Sequence, residues 1–183
     1  MKRLESAVLS CRGCRLSETR TKAVPGEGDI RTGLMFVGEG PGRDEDIQGK
    51  PFVGRAGQLL TKIIAAMKYD RNQVYITNVV KCRPPNNRNP KPEEIEQCRD
   101  YLLEQIDIIQ PRVIVTLGRV AADFFVKSSL KMTDLRGHFY DFQGIQVMPT
   151  FHPSYLVRNE GNKSLKRMVW EDMKKVMAFL GKK

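Results

Sequence analysis

Four short apolar segments, separated by segments of helical periodicity, constrain the fold of this chain more than any other feature. Their small size and β-branched content favour buried strands over helices. The segments are Leu34–Val37, Val74–Val80, Val113–Leu117 and Ile145–Pro149. Helical patterns lie between and after them, at Ala56–Met67, Pro92–Ile109, Arg119–Val126 and Lys163–Leu180. This alternation predicts an α/β fold with a mostly parallel sheet and helices on both faces.

No internal repeat, low-complexity tract or linker divides the 183 residues, so we expect a single domain. No apolar run approaches the ~18 residues that span a bilayer, so we expect no membrane partner. The basic start, Met1–Glu5, is not followed by an apolar segment, which argues against a secretion signal. We therefore expect a cytoplasmic monomer, in a reducing compartment where cysteines stay free or bind metal.

The net charge of +10, from 31 basic and 21 acidic residues, suits a polyanionic partner such as nucleic acid. Basic residues gather in two stretches, one within Lys81–Arg99 and the other within Lys163–Lys183. A basic surface with no specific partner would have the same composition. The charge therefore indicates a class of partner and says nothing about activity.

Polar and glycine-rich residues follow each predicted strand. In chain order these are Gly38-Glu39-Gly40-Pro41-Gly42, Asn78 near the end of the second strand, Gly118-Arg119, and Phe151-His152-Pro153-Ser154. Ligands of open α/β sheets bind beyond the carboxyl ends of the strands. This edge of the sheet is therefore the candidate site.

Two of these segments allow both a functional and a structural interpretation. Glycines let Gly38–Gly42 approach a ligand closely, yet the segment is neither a Walker loop nor a dinucleotide fingerprint. The acidic residues Asp44–Asp46 behind it could be solvated loop charges. His152 lies in what Pro149 and Pro153 predict to be a rigid loop. It could donate a hydrogen bond to a developing anion or serve the structure alone.

The four cysteines form a candidate metal site. Cys11 and Cys14 have a C-x-x-C spacing that suits two ligands of one site, and Cys82 and Cys98 would supply two further thiolates. Four thiolates suit either tetrahedral zinc or a [4Fe–4S] cluster, and the spacing does not distinguish them. Two unrelated pairs of free thiols are the alternative.

Five motifs together resemble those of the family 4 uracil-DNA glycosylases. They are Gly38-Glu39-Gly40-Pro41-Gly42, Asp44-Glu45-Asp46, Lys50-Pro51-Phe52-Val53-Gly54-Arg55-Ala56-Gly57, Asn78-Val79-Val80-Lys81-Cys82-Arg83-Pro84-Pro85 and His152-Pro153-Ser154-Tyr155-Leu156. The resemblance implies a three-layer α/β/α sandwich with a central four-stranded parallel sheet, as one domain over residues 1–183. It also implies that the four cysteines hold a [4Fe–4S] cluster rather than zinc.

The resemblance further implies a monofunctional enzyme that hydrolyses the N-glycosidic bond of uracil in single- or double-stranded DNA, leaves an abasic site and initiates base-excision repair. Such an enzyme extrudes its target nucleotide into a pocket. Phe52 is expected to stack on uracil, with core packing as the alternative. Asn78 is expected to read the uracil edge, with a turn cap as the alternative. A locked amide would donate to O4 and accept from N3–H, a pattern that cytosine reverses.

His152 is expected near uracil O2, where one well-placed donor lowers the barrier by ~2–4 kcal/mol. The best-known uracil glycosylases position the attacking water with an aspartate, whose place is taken here by Gly40, which we assign to substrate binding. Two carboxylates are then candidates for catalytic roles. We expect Glu39 to organise water or backbone, and Glu45 to form the wall near uracil C5, where the methyl group of thymine would collide.

Leu156 resembles the wedge that enters the DNA stack when uracil leaves, with a buried loop leucine as the alternative. Ser154 is expected to bind a flanking phosphate, and the basic stretches to contact the DNA backbone. One rival is a relative that stays attached to the abasic sugar through a histidine in a basic insert, but Asn86–Pro90 has neither histidine nor insert. The cysteines and the basic charge also permit two rivals of a different class, a non-enzymatic iron–sulfur protein and a structural zinc module.

Overall fold

The computed structural model describes residues 1–182 and contains one six-stranded mixed sheet. Its strands are β1 (Glu27–Gly28), β2 (Leu34–Gly38), β3 (Tyr75–Asn78), β4 (Val113–Leu117), β5 (Tyr140–Phe142) and β6 (Ile145–Thr150). The order across the sheet is β1-β3-β2-β4-β6-β5. The four central strands pair in parallel, and the two edge strands pair antiparallel to their neighbours.

The predicted α/β fold and four parallel strands are confirmed, and the two antiparallel edge strands are an addition. Both edge strands are too short to carry a clear period-2 pattern, which is why the sequence did not reveal them. The second predicted strand is shorter than expected, because the backbone N–H groups of Val79 and Val80 donate to Gly38 and Glu39 beyond the regular ladder.

Helices cover both faces of the sheet. They are α1 (Lys2–Ser10), α2 (Leu16–Thr19), α3 (Arg43–Gln48), α4 (Arg55–Ala66), α5 (Pro92–Ile109), α6 (Arg119–Phe125), α7 (Met132–Leu135), α8 (Pro153–Arg158) and α9 (Lys163–Phe179), with 3-10 turns at Arg71–Gln73 and Pro85–Asn87. One core cluster contains buried side chains of α1, α5 and α6, and a second contains those of α4, α8 and α9. Two cores on opposite faces of one sheet make the three layers.

Two segments expected as loops are helices. Asp44–Asp46 lies in α3, and the buried Asp46 accepts hydrogen bonds from the backbone of Thr21 and Lys22, so its carboxylate is not a solvated loop charge. The expected rigid loop after β6 is the short helix α8, because Pro153 suits a first helical turn and His152 caps it. No helix within residues 1–182 is both long and apolar enough to cross a membrane.

The strand register brings the predicted functional segments to one edge of the sheet. Gly38 at the end of β2 pairs with Asn78 at the end of β3. Leu117 at the end of β4 pairs with Thr150 at the end of β6. The segments that follow these four strands therefore leave the sheet side by side, as the predicted site requires.

Candidate active site

A pocket of about 370 Å³ opens at the carboxyl edge of the central strands, within the size range of small-molecule sites. We call it the strand-end pocket. It contains seven of the residues selected from the sequence: Glu39, Gly40, Glu45, Phe52, Asn78, His152 and Ser154. Segments far apart along the chain thus meet around one cavity.

Asn78 presents an unused acceptor in this pocket. Its side chain is 1% exposed, and its Oδ1 has no hydrogen-bond partner within the described residues. A buried polar atom without a partner is costly, so this oxygen suits a ligand that brings a donor. The neighbouring Gly38 makes room for it, since a Cβ there would lie 2.4 Å from Asn78 Oδ1 and 2.5 Å from Phe52 Cζ.

Phe52 is held in an unusual backbone conformation. Its φ of +51° lies in the left-handed region, which a bulky residue rarely adopts. Gly57 permits this turn, because a Cβ there would lie 1.9 Å from the carbonyl oxygen of Phe52. The Phe52 ring lies 5.7 Å from the His152 ring, centroid to centroid. A strained residue at a pocket wall is typical of a functional site.

Glu45 stabilises the turn that carries Phe52. Its Oε1 accepts hydrogen bonds from the backbone N–H groups of Val53 at 2.8 Å and Gly54 at 2.9 Å, and its Oε2 accepts one from Gly42 at 3.1 Å. The carboxylate therefore joins the glycine-rich turn to the Phe52 segment. Glu45 lines the pocket as expected, but its oxygens are already engaged with the protein backbone.

His152 is neutral, with its proton on Nε2. The backbone N–H of Ser154 can only donate, and it lies 3.1 Å from His152 Nδ1, so Nδ1 is an acceptor. Burial, and to a lesser degree the charge of Arg158, lower the pKa of His152 to about 4. The Oγ of Ser154 also lies 2.8 Å from Nδ1. The free Nε2–H is thus a hydrogen-bond donor over the whole physiological pH range.

Burial raises the pKa of the Glu39 carboxyl above its usual value, which makes its ionised form a stronger proton acceptor. Gly40 beside it has no space for a side chain, because a Cβ would lie 2.8 Å from Val80 Cγ2. An aspartate at this position would collide with Val80. Of the two carboxylates that line the pocket, Glu39 is the one whose oxygens accept no backbone hydrogen bond within residues 1–182.

Leu156 requires a correction. Its side chain is 3% exposed and belongs to the core cluster that also contains Leu60 of α4. A wedge must project from the surface, so this placement contradicts the predicted wedge and supports the alternative of a buried leucine. The exposed side chains of α8 are those of Tyr155 and Arg158. Arg158 also lines the pocket.

The four cysteines line a second cavity, which we call the cysteine cavity, together with Arg20 and Tyr101 among others. The segment between α1 and α2 supplies Cys11 and Cys14, the segment after β3 supplies Cys82, and α5 supplies Cys98. All four are free thiols. Within residues 1–182, no three Cys, His, Asp or Glu side chains are arranged to hold a single metal ion.

Hydrogen-bond donors point at the sulfur atoms of this cavity. Arg20 Nη1 lies 2.8 Å from Cys82 Sγ, the backbone N–H of Lys81 lies 3.3 Å from Cys98 Sγ, and that of Gly13 lies 3.3 Å from Cys11 Sγ. Such donors stabilise thiolates and tune metal–sulfur centres. Burial raises the pKa of Cys98 to about 11 and also raises that of Cys82, so these two thiols need additional positive charge to ionise. The residues therefore fit a cationic group held by four thiolates.

Sequence reasoning missed two residues that the structure brings to these sites. Arg20 belongs to no recognisable motif, and nothing along the chain pairs it with Cys82. Lys81 belongs to a motif but was counted among the basic residues expected to contact DNA. It is 1% exposed, so its ammonium cannot reach a DNA backbone, and that expectation is wrong for Lys81.

Comparison with known proteins agrees with these features. The model of the uracil DNA glycosylase superfamily matches residues 25–174. A type-4 uracil-DNA glycosylase of Thermotoga maritima is 50% identical over 100% of this chain and 95% of the relative. One of Archaeoglobus fulgidus is 45% identical over 96% and 91%. A type-5 uracil-DNA glycosylase of Pyrobaculum aerophilum is 31% identical over 76% of this chain and 69% of the relative.

The chain therefore belongs to the uracil-DNA glycosylase superfamily. Its identity with these type-4 relatives exceeds its identity with this type-5 relative, over larger shares of both chains. The resemblance to family 4 is confirmed.

Proposed function

We infer that this protein is a monofunctional uracil-DNA glycosylase, which hydrolyses the bond between uracil and deoxyribose and leaves an abasic site for base-excision repair. The observation that carries this inference is the buried Oδ1 of Asn78, which has no hydrogen-bond partner within residues 1–182 and lines the same pocket as Phe52 and the neutral His152. Relatives named as type-4 uracil-DNA glycosylases support it, and the net charge of +10 suits a DNA substrate.

The base is recognised by the shape and polarity of the pocket. Uracil extruded from DNA stacks on Phe52, and Asn78 Oδ1 accepts a hydrogen bond from its N3–H while the amide nitrogen donates to O4. Cytosine presents a bare N3 and an amino group at these positions. Two unmatched polar contacts would then penalise cytosine by a few kcal/mol.

His152 stabilises the leaving group. As the glycosidic bond breaks, its electron pair moves onto uracil and charge accumulates at O2, to which the Nε2–H of His152 donates. A donor that is fixed before the reaction costs no reorganisation in the transition state. Ser154 fixes it, because its backbone N–H keeps Nδ1 in the acceptor state. No imidazolium is required, since a neutral ring already presents this N–H.

Glu39 is the general base for the attacking water. The sugar becomes oxocarbenium-like as uracil leaves, and water adds at C1′ while its proton passes to the Glu39 carboxylate. The raised pKa of Glu39 suits this role, because a more basic carboxylate accepts a proton more readily. The uracil anion takes up a proton from solvent as it is released, and Glu39 returns its proton to solvent, so the products are free uracil and an abasic deoxyribose. No lysine attacks the sugar, so the DNA strand stays intact.

Two further pocket residues have supporting roles. Gly40 lets the substrate approach the backbone of the glycine-rich turn, where Val80 already occupies the space of a side chain. Glu45 holds the Phe52 turn through its three backbone hydrogen bonds and thereby shapes the wall near uracil C5, where thymine is excluded. A wall that is anchored to the backbone cannot easily yield to a methyl group.

Two residues of the pocket lining, Ser154 and Arg158, are the candidates for binding a phosphate beside the extruded nucleotide. Arg158 Nη1 lies 3.4 Å from Ser154 Oγ, and the arginine is exposed. The remaining basic residues of the two charged stretches contact the DNA backbone, which makes binding depend on salt concentration.

The four cysteines hold a [4Fe–4S] cluster, which supplies structural support to the loops beside the DNA. Their common cavity and the donors of Arg20, Lys81 and Gly13 support this assignment. Iron and sulfide analysis of the purified protein is expected to find both in equal amounts. Zinc without sulfide would overturn the assignment.

We also propose that residues 1–183 act as one domain and as a cytoplasmic monomer. The free state of all four thiols suits a reducing compartment. Light scattering of the purified protein, alone and with DNA, measures the oligomeric state, and a stable dimer at low concentration would contradict it.

The deciding experiment is a single-turnover assay on a labelled duplex with one uracil, followed by alkali to cleave abasic sites. Wild type is expected to cleave in a uracil-dependent manner. His152→Ala is expected to slow excision by ~10²–10³-fold, the cost of losing one such donor. Asn78→Ala is expected to slow uracil excision and to weaken discrimination against cytosine.

Matched controls exist for both substitutions. His138 and Asn72 are exposed and lie outside the pocket, so His138→Ala and Asn72→Ala are expected to behave as wild type. If a preparation loaded with iron and sulfide shows no uracil-dependent cleavage, the protein is instead a DNA-binding iron–sulfur protein.

A further inference from the structure

Lys81 is a fully buried lysine between the two cavities. Its side-chain ammonium donates three hydrogen bonds of 2.7 Å each, to Thr77 Oγ1, to the backbone carbonyl of Asn78 and to Gln105 Oε1. It forms no ion pair with a carboxylate in the part of the chain that the structure describes. Each of the three contacts is therefore to a neutral acceptor, and burial lowers the pKa of Lys81 to about 7, so the charged form is only partly populated near neutral pH.

Stability alone does not account for this arrangement. Transfer of an ammonium from water to the protein interior is costly, and neutral acceptors offset the cost less well than a carboxylate does. An apolar side chain of similar length would avoid the cost of burying charge. The ammonium is better explained by what it holds in place.

The group that it holds is the backbone of Asn78. The carbonyl of Asn78 accepts from Lys81 Nζ, while the side-chain Oδ1 of the same residue faces the strand-end pocket without a partner. The peptide orientation after Asn78 sets where its Cα–Cβ bond points. A bond to the carbonyl therefore limits the rotation that would move the amide away from a base in the pocket.

The ammonium is itself fixed from several directions. Gln105 Nε2 donates to the carbonyl of Pro25 at 2.7 Å, and Thr77 Oγ1 lies 2.9 Å from the same oxygen. The backbone N–H of Lys81 donates to Cys98 Sγ, and its carbonyl accepts from Val24 at 2.8 Å. Lys81 thus joins the end of β3 to helix α5 and to the cysteine cavity.

We propose that Lys81 is a positioning residue for Asn78: its ammonium keeps the amide of Asn78 in the orientation that accepts uracil. This inference rests on the proposed role of Asn78 as the reader of the base. Loss of the ammonium leaves the peptide between Asn78 and Val79 held, within the described residues, only by the hydrogen bond from the Val79 N–H to the Gly38 carbonyl, so the backbone that carries the amide is fixed less firmly. Uracil excision then slows, and the preference for uracil over cytosine declines.

A double-mutant cycle tests this, with Lys81→Met, Asn78→Ala and the double variant measured in the single-turnover assay. Lys81→Met alone is expected to slow uracil excision by roughly 10–100-fold, as for other residues that orient a reacting group. In the Asn78→Ala background the same substitution is expected to cost less than about twofold, because a residue acting through Asn78 has nothing left to position. Additive losses in the two backgrounds would overturn the proposal.

Selectivity separates positioning from general destabilisation. The ratio of uracil to cytosine excision is expected to fall in Lys81→Met, whereas a merely less stable protein keeps its ratio. The matched control is Lys62→Met, which removes an exposed lysine on α4 that lies outside both basic stretches and outside the strand-end pocket, and it is expected to leave both rate and ratio unchanged. If Lys81→Met does not fold, Gln105→Leu removes one acceptor of the ammonium and enters the same cycle.

The rates of wild type and the two single variants separate the positioning role of Lys81 from the glycosylase activity itself. Wild type that excises no uracil refutes the glycosylase, and Asn78→Ala that is as fast as wild type refutes the reader and the positioning role together. If the Asn78→Ala variant is slow while the Lys81→Met variant is as fast as wild type, the positioning role alone is refuted.

Discussion

The segment from Asn78 to Cys82 contributes to both the strand-end pocket and the cysteine cavity. The two sites differ in the hydrogen bonding and the ionisation of their polar groups. The pocket has a buried acceptor, Asn78 Oδ1, that finds no partner among the described residues, and it is also lined by the neutral His152. The cysteine cavity has donors that already point at sulfur, but burial raises the pKa of its Cys82 and Cys98 thiols.

Contacts within the protein fix the shape of the pocket, whereas burial disfavours the ionised form of two thiols in the cysteine cavity. Hydrogen bonds from the backbone to Glu45 fix the wall of the pocket. Gly38 leaves the space that the side chains of Asn78 and Phe52 occupy. Because burial raises the pKa of those two thiols, a cationic group that bound their sulfurs would also stabilise the fold. Changes in the pocket should therefore affect catalysis, and changes around the cysteines should first affect stability.

The largest effect is expected from Glu39→Gln. Removal of a general base costs ~10²-fold or more in single-turnover rate. The wild-type rate is expected to rise with pH through the pKa of Glu39, which burial raises above its usual value, because only the ionised carboxylate accepts the proton of water. Glu39→Gln is expected to lose this acid limb. Rates and a pH profile equal to those of wild type would remove Glu39 from the mechanism.

Gly38→Ala is expected to have the next largest effect, because the new Cβ would meet both Asn78 Oδ1 and Phe52 Cζ. Displacement of the reader and the stacking ring by a fraction of an ångström to an ångström costs ~10²-fold in rate. Gly161→Ala is the matched control, since nothing lies within 4 Å of a Cβ at that position. Equal rates for both variants would show that the pocket is not held as tightly as the comparison requires.

Arg20→Met tests how the cysteine cavity contributes to stability. Loss of the Arg20–Cys82 contact is expected to lower the free energy of unfolding by roughly 1.5–3 kcal/mol, the contribution of a hydrogen bond to a charged group. Excision by the folded protein is expected to stay within about twofold of wild type, since Arg20 does not line the pocket. Denaturant unfolding and the single-turnover assay measure the two quantities. A large loss of rate at unchanged stability would contradict the expectation that changes around the cysteines first affect stability.

The smallest effect concerns the protonation of His152. Its pKa of about 4 lies below that of an unfolded histidine, so the folded state resists protonation. Stability from this group is fully present above the unfolded pKa and is lost as pH falls from there through about 4. NMR titration is expected to leave the His152 ring neutral at pH 6. A ring that titrates near its unfolded value would refute the neutral donor.

The sequence was most informative where the pattern that predicts a feature lies within one short segment. The second apolar run predicted a strand whose end places Asn78 at the site, and the C-x-x-C spacing of Cys11 and Cys14 predicted that the two thiols share one site, as they do in the cysteine cavity. Both depend on residues close together in the chain, so local periodicity and spacing suffice. Leu156 shows the limit of this reasoning. Its motif indicated a wedge, but packing against α4 buries it.

The sequence by itself determined the α/β class, the edge of the sheet where the site lies, and the set of side chains available there. Only the tertiary structure decided how these side chains act. The contact of Arg20 with Cys82, the space that Gly38 leaves for Asn78 and the bond of Lys81 to Gln105 each join segments distant in the chain. Such contacts arise from packing between elements, which no local pattern encodes.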